Sequence, residues 1–144
     1  MKFLVINGPN LNMLGIREPG IYGKNTLKEL EEKMLEYCRS LNIDLEFYQS
    51  NHEGSIVDKI QDSYQKIDGI VINPAAYTHT SVAIPDAIKA VGIPSVEVHL
   101  SDVDSREDFR KISYVSPVCI ATIKGKHFDG YIDAVDILRQ HLNK

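Results

Sequence analysis

The chain has 144 residues and a formal net charge of -4. That length suits one domain over residues 1–144 and is too short for a (β/α)8 barrel, which takes about 250 residues. The acidic balance argues against a nucleic-acid groove or an anionic membrane surface.

Two cysteines are too few for a disulfide framework, and both are expected to be reduced core residues. No run approaches a membrane span, and the short apolar run after Lys2 does not read as a signal peptide, so a cytoplasmic location is expected. CxxC, HExxH and clustered carboxylates with ligand spacing are all lacking, so no metal is expected.

In chain order, Phe3–Ile6 reads as a buried strand. Asn7 to Gly23 follows as a long loop dense in side-chain amides, with Arg17 and Tyr22 between Gly15, Gly20 and Gly23. A connection of that length binds something or closes over something, and its glycines suggest a movable lid. Thr26-x-x-Glu29 supplies a capping box for a helix with Leu27, Leu30, Met34, Tyr37, Cys38 and Leu41 on one stripe. Leu45–Gln49 is the second strand. His52, Glu53 and a Ser55 cap then open a helix carrying Ile56, Ile60, Tyr64 and Ile67.

Gly69–Asn73 is the third strand, and a third helix covers about Val82 to Val91. With Ser81 as its N-cap, Pro85 removes the first intrahelical bond and is expected to loosen the turn ahead of Asp86. Ser95–His99 is the fourth strand. A short helix from Arg106 to Lys111 would place Arg106 and Arg110 on one face. Cys119–Ile123 is the fifth strand, and a last helix runs from Asp129 to Leu142. His127 and His141 read as solvent-facing.

Five βα units of this spacing imply a doubly wound parallel sheet with helices on both faces, and the flavodoxin-like order 2-1-3-4-5 is expected. Ligands of such sheets sit beyond the carboxyl ends of the strands, near the β1/β3 switch point. Three polar segments converge there: Asn10 to Tyr22, Asn73 to Thr80, and Glu97 to Ser101.

The fourth strand is informative by itself. Val96, Val98 and Leu100 fall on one face, while Glu97 and His99 share the other. A polar strand end satisfied by a helix terminus and a functional pair explain that spacing equally well; the polar loops alongside favour function. A carboxylate beside an imidazole can fix its tautomer and favour its protonated form. Tyr22 could equally be a packed surface residue, since an unperturbed phenol is a poor base at neutral pH. A guanidinium such as Arg17 within contact would favour tyrosinate, each unit of depression being worth ~1.4 kcal/mol. Asn10, Asn12 and Asn73 all suit turns, and Asn12 is read as structural. His79 is open to both readings, and Arg106 could be an ordinary solvated residue.

The run N-G-P-N-L-N-x-L-G-x-R-E-P-x-x-Y-G from Asn7 to Gly23 resembles the opening of the type II 3-dehydroquinases. Ile72-Asn73-Pro74-Ala75-Ala76-Tyr77-Thr78-His79-Thr80-Ser81 resembles that family's central motif. Glu97-Val98-His99-Leu100-Ser101, with Arg106 and Arg110 downstream, resembles its last motif, and Asn51 to Gly54 is similar too. The matches are collinear and span most of the chain.

The resemblance implies dehydration of 3-dehydroquinate to 3-dehydroshikimate by anti elimination through an enolate, without cofactor. It makes Tyr22 the base, aided by Arg17, and His99 the acid, poised by Glu97. Asn10 would hold a water or oxygen near the enolate. Asn73, His79, Leu100, Ser101 and Arg110 would bind substrate, and Arg106 would assist the Tyr22 ionisation. Asp86 would reach the site of a neighbouring subunit in a dodecamer built from trimers. Family members commonly carry arginine where this chain has Pro85.

Other readings of the same fold fare worse. A phosphoacceptor module needs acidic residues where the chain has Ile6-Asn7 and Asn73-Pro74. A flavin module needs a Ser/Thr-rich phosphate loop after the first strand. A non-catalytic small-ligand binder or oligomeric scaffold remains as the alternative.

Overall fold

Runs of β-branched and apolar residues long enough for a strand, but without helical spacing, become the central sheet. The structure, a computed structural model, describes residues 1–16 and 25–144. Strands β1 (Lys2–Asn7), β2 (Asp44–Gln49), β3 (Gly69–Asn73), β4 (Ser95–His99) and β5 (Ala121–Lys124) form one parallel sheet in the order β2-β1-β3-β4-β5. This is the flavodoxin-like order expected. Helices α1 (Leu27–Arg39) and α4 (His127–Leu142) cover one face, and α2 (Glu53–Asp62) and α3 (Ala83–Val91) cover the other.

The two-residue period of the strands divides the core. Phe3, Val5, Val71, Val96 and Val98 pack with Leu30 and Met34 of α1 and Ala134, Val135 and Leu138 of α4. Leu4, Ile6, Ile70 and Ile72 pack with Ile56 and Ile60 of α2 and Ile84 and Ile88 of α3. A slip of one residue would exchange these faces, so burial on both sides pins the register. Asn7 is paired with Asn73 at the carboxyl ends of β1 and β3, which sets two amides side by side at the switch point. Gly8 follows at once, and a Cβ there would lie 2.5 Å from the Pro74 carbonyl oxygen. The close approach of the two loops needs glycine at that position.

Several local expectations shift. Thr26 caps α1 as read, its hydroxyl accepting from the Glu29 N–H at 3.1 Å. Ser55 does not cap α2, which begins at Glu53 after His52. Tyr64 lies beyond the end of α2 and is exposed. The first turn of α3 is not loosened by Pro85. The Ser81 hydroxyl accepts from the Ile84 N–H at 3.0 Å, and the Asp86 N–H donates to the Val82 carbonyl at 3.2 Å. Pro85 occupies the first turn, where its missing donor would have had no intrahelical partner.

The fifth strand starts two residues later than expected. Cys119 instead closes a turn, its N–H donating to the Ser116 carbonyl at 3.1 Å. Among the described residues no helix is long and apolar enough to cross a membrane.

Both cysteines are reduced, and burial raises both thiols. Cys38 is pushed up to about 11 by burial and by Asp136, and Cys119 up to about 12 by burial and by Glu97. The neutral thiols favour the folded state fully below the unfolded thiol pKa of about 8.5, and that contribution is lost as pH rises above it. Cys38 is fully buried and Cys119 half-buried. In native protein at pH 8, Cys38 should react with a disulfide reagent about a hundredfold more slowly than after unfolding in guanidinium. Rapid labelling of Cys38 in the native state would contradict its burial.

Candidate active site

A crevice of about 420 Å³ opens at the carboxyl ends of β1, β3 and β4. Its wall includes Asn10, Leu14, Asn73, Ala75, His79, His99, Leu100, Ser101, Arg106 and Arg110. The described parts of the three segments that the sequence placed together do meet. Arg17 and Tyr22 lie outside the described residues.

Strand alternation puts Glu97 and His99 on one face of β4, as read. The Glu97 side chain has no exposed surface, and His99 is nearly as buried. Glu97 Oε2 lies 3.2 Å from His99 Nε2. The two atoms touch without the alignment of a directed hydrogen bond, and neither has another hydrogen-bond partner among the described residues. The other carboxylate oxygen accepts a hydrogen bond from the Ser113 hydroxyl at 2.7 Å.

Buried side-chain polar atoms are usually paired. The exceptions among the described residues are Asn7 Nδ2, Thr78 Oγ1, Glu97 Oε2 and His99 Nε2. All four lie at the ends of β1 and β4 or in the turn after β3. Unsatisfied groups gathered at one end of a sheet mark a place built for something other than stability.

Asn73 is held from two sides. Its Oδ1 accepts from the Ala75 N–H at 3.0 Å, and its Nδ2 donates to the Tyr131 hydroxyl at 2.9 Å. The turn reading therefore holds for this residue, which also lines the crevice. Ala75 sits at φ 54°, in the left-handed region, so the Asn73 contact secures a costly backbone turn in the crevice wall. Tyr131, on α4, donates to Asn7 Oδ1 at 2.6 Å. Burial holds its phenol well above the ordinary range, so it stays protonated. One hydroxyl thus reads both amides, accepting from one and donating to the other.

Asn10 adopts φ 70°, and its N–H donates to Asn51 Oδ1 at 2.9 Å. Its own amide makes no hydrogen bond to the described residues and remains available to the crevice. Asn12 accepts from Gln49 Nε2 at 3.4 Å and braces the loop, as read. His79 Nδ1 lies 2.7 Å from the Ile112 carbonyl oxygen. A carbonyl can only accept, which assigns the proton to Nδ1 and leaves Nε2 for a ligand.

The short helix from Arg106 to Lys111 is not formed as expected. Residues Val103–Ser105 make one 3-10 turn, capped by Asp102, and Asp108–Lys111 make another. Arg106 and Glu107 are extended between them, so the i, i+4 argument for a shared face fails. Both arginines nevertheless reach the crevice. Arg110 Nε is 2.6 Å from Glu107 Oε2, whereas Arg106 has no ion pair among the described residues. Asp86 is exposed on α3 and does not line the crevice. No group of three or more His, Cys, Asp or Glu side chains among the described residues could hold a metal ion.

The profile of the family described as dehydroquinase class II matches residues 1–139. The chain belongs to this family. A 3-dehydroquinate dehydratase of Fusobacterium nucleatum is 55% identical over the whole of both chains. A protein of Fusarium vanettenii named catabolic 3-dehydroquinase 1 is 54% identical, covering 96% of each chain. The crystal structure of type II dehydroquinase from Butyrivibrio crossotus superposes with a TM-score of 0.91 at 57% identity, covering 96% of this chain and 97% of that one.

Two residues that brace this crevice escaped the sequence reading. Ser113 looks like any loop serine, and Tyr131 like any apolar position of an amphipathic helix. Tyr131 packs in the core yet carries the hydroxyl that joins Asn7 and Asn73, 124 and 58 residues away. Only the presence of a tyrosine at a fully buried helix position hinted at a polar partner. Tyr131→Phe should destabilise the protein by about 1–3 kcal/mol, because it strands two buried amides. Urea unfolding measures this, and an unchanged midpoint would show that the network contributes little.

Proposed function

We propose that the crevice dehydrates 3-dehydroquinate to 3-dehydroshikimate, the step shared by shikimate and quinate metabolism, by anti elimination through an enolate. The catalytic unit is the single domain of residues 1–144, working in the cytoplasm. Membership of the class II dehydroquinases supports the reaction. The observation that carries the mechanism is the Glu97–His99 contact of 3.2 Å at the buried end of β4.

Two protons must move. The base takes one from the carbon next to the ketone, and the acid gives one to the departing hydroxyl. Tyr22 is the base, its tyrosinate favoured by Arg17, with Arg106 assisting. His99 is the acid. With Nε2 turned to Glu97, Nδ1 is the ring nitrogen left to face the leaving group. The negative charge of the enolate falls on a ketone oxygen, which Asn10 meets through a held water.

Substrate is gripped around this axis. Asn73 contacts it through the remaining hydrogen of its amide, and His79 Nε2 accepts from a hydroxyl. Leu100 and Ser101 offer backbone N–H groups and a hydroxyl to the carboxylate, and Arg110 adds its terminal nitrogens. Asp86 contributes to the crevice of a neighbouring subunit, in a dodecamer of trimers. Its exposure on α3, away from its own crevice, supports that placement.

An imine through lysine is the competing route to a stabilised carbanion. None of the described lysines lines the crevice. Lys2 begins β1, at the far end of the sheet, and Lys124 is paired with Asp104 at 3.0 Å. Neither proton transfer calls on a metal or an organic cofactor.

The test follows the ultraviolet absorbance of the enone product. Turnover should survive chelator and borohydride. Tyr22→Phe and His99→Ala should each lower kcat by about 10²–10⁴-fold, the usual worth of a positioned acid or base. Inactivation by borohydride in the presence of substrate would sink the enolate route, and full activity in either variant would remove that residue from its role. Asp86→Ala should lower kcat/KM while the protein's circular dichroism stays unchanged; an unaffected kcat/KM would remove Asp86 from the site.

A further inference from the structure

The segment between the two arginines and β5 carries contacts that the proposed mechanism does not use. Ser113 stands there at the head of a turn. Its hydroxyl oxygen accepts from the Val115 N–H at 3.2 Å and from the Ser116 N–H at 2.9 Å. With both lone pairs occupied, the single hydroxyl hydrogen goes to Glu97 Oε1 at 2.7 Å, its acceptor among the described residues. The same segment offers the Ile112 carbonyl to His79.

We propose that Ser113 is a positioning residue for the acid pair, selecting which oxygen of Glu97 faces His99. The inference rests on the reading of Glu97 and His99 as that pair. Glu97 is buried and can rotate about its last bond, so nothing in β4 itself decides how its carboxylate is presented. The fixed donor from Ser113 decides it. Oε1 is held by the hydroxyl, and Oε2 is left 3.2 Å from His99 Nε2 with no other partner among the described residues. Ser113 touches neither substrate nor a transferred proton; it acts through Glu97.

A double-mutant cycle separates this role from plain support of the turn. Ser113→Ala should lower kcat about tenfold with KM held within about twofold, the pattern of a misplaced catalytic group. Ser113→Thr, which keeps the hydroxyl, should restore most of the loss. In a Glu97→Gln background, Ser113→Ala should cost nothing further. If the alanine variant does not fold, Ser113→Cys, similar in size with a weaker donor, takes its place in the cycle.

An equal loss in both backgrounds would overturn the proposal, as would an unchanged kcat or a threonine variant as poor as alanine. A Glu97→Gln enzyme with the parental kcat would instead overturn the acid-pair reading beneath it, and Ser113 with it. The outcomes are therefore distinct for the two levels of inference.

Discussion

Burying Glu97 at the end of a central parallel strand carries an electrostatic cost that its neighbours must offset. An ionised carboxylate taken out of water without partners costs several kcal/mol, and such groups persist only when paired or hydrogen-bonded. Here the partners come from two directions: the Ser113 hydroxyl from the turn before β5, and His99 two residues along the same strand. The turn from Ile112 to Ser116 is in turn held to the crevice by the Tyr114 N–H on the Thr78 carbonyl at 2.9 Å. The buried carboxyl group at the floor of the crevice and the loop above it are therefore tied to one turn.

The switch point imposes a second constraint, which is geometric. Strands β1 and β3 run side by side, and their connections leave in opposite directions. Gly8 lets the two loops touch, its N–H donating to the Asn73 carbonyl at 2.8 Å. The amides of Asn7 and Asn73 then face the helix layer, where a buried hydroxyl can meet one group of each without opening the core to water. Tyr131 supplies it, and its ring fills the space that an apolar residue would have taken. Asn73 can therefore present a fixed amide orientation to the crevice. A ligand meeting it need not order it first, which lowers the cost of binding.

Much of this was legible in the sequence, for identifiable reasons. The sheet order follows from alternating strands and helices, and the pairing of Glu97 with His99 follows from the period of two. Both rest on patterns that repeat over neighbouring residues. The break between Arg106 and Arg110 was not legible, because the sequence shows charge spacing but not the competition from Asp102, whose side chain accepts from the Asp104 N–H and sets a 3-10 turn instead. Pro85 was misjudged in the same way, since its effect depends on where the helix starts. Ser113 and Tyr131 were missed because their partners lie 16 to 124 residues away, and no local pattern encodes such contacts. Arg17 and Tyr22, which the motif made prominent, fall outside the described residues.

The net charge of the chain is a poor guide to what enters the crevice. Screening at physiological salt acts over about 8 Å, so an anion at the crevice mouth responds chiefly to the groups around it. Those include Arg106 and Arg110, while Glu97 is sealed behind His99. The two arginines are prepared differently. Glu107 takes the Nε of Arg110, and its own carboxyl is held below the ordinary range by its backbone N–H and then by that guanidinium. The pairing neutralises part of the charge but restrains the side chain through its Nε, so a ligand meeting it would pay less entropy to order it. Arg106 has no ion pair among the described residues. A fixed cation suits the recognition of a planar carboxylate, and a free one suits a group whose charge changes during the reaction. That division matches the proposed roles of Arg110 in holding substrate and Arg106 in favouring a tyrosinate.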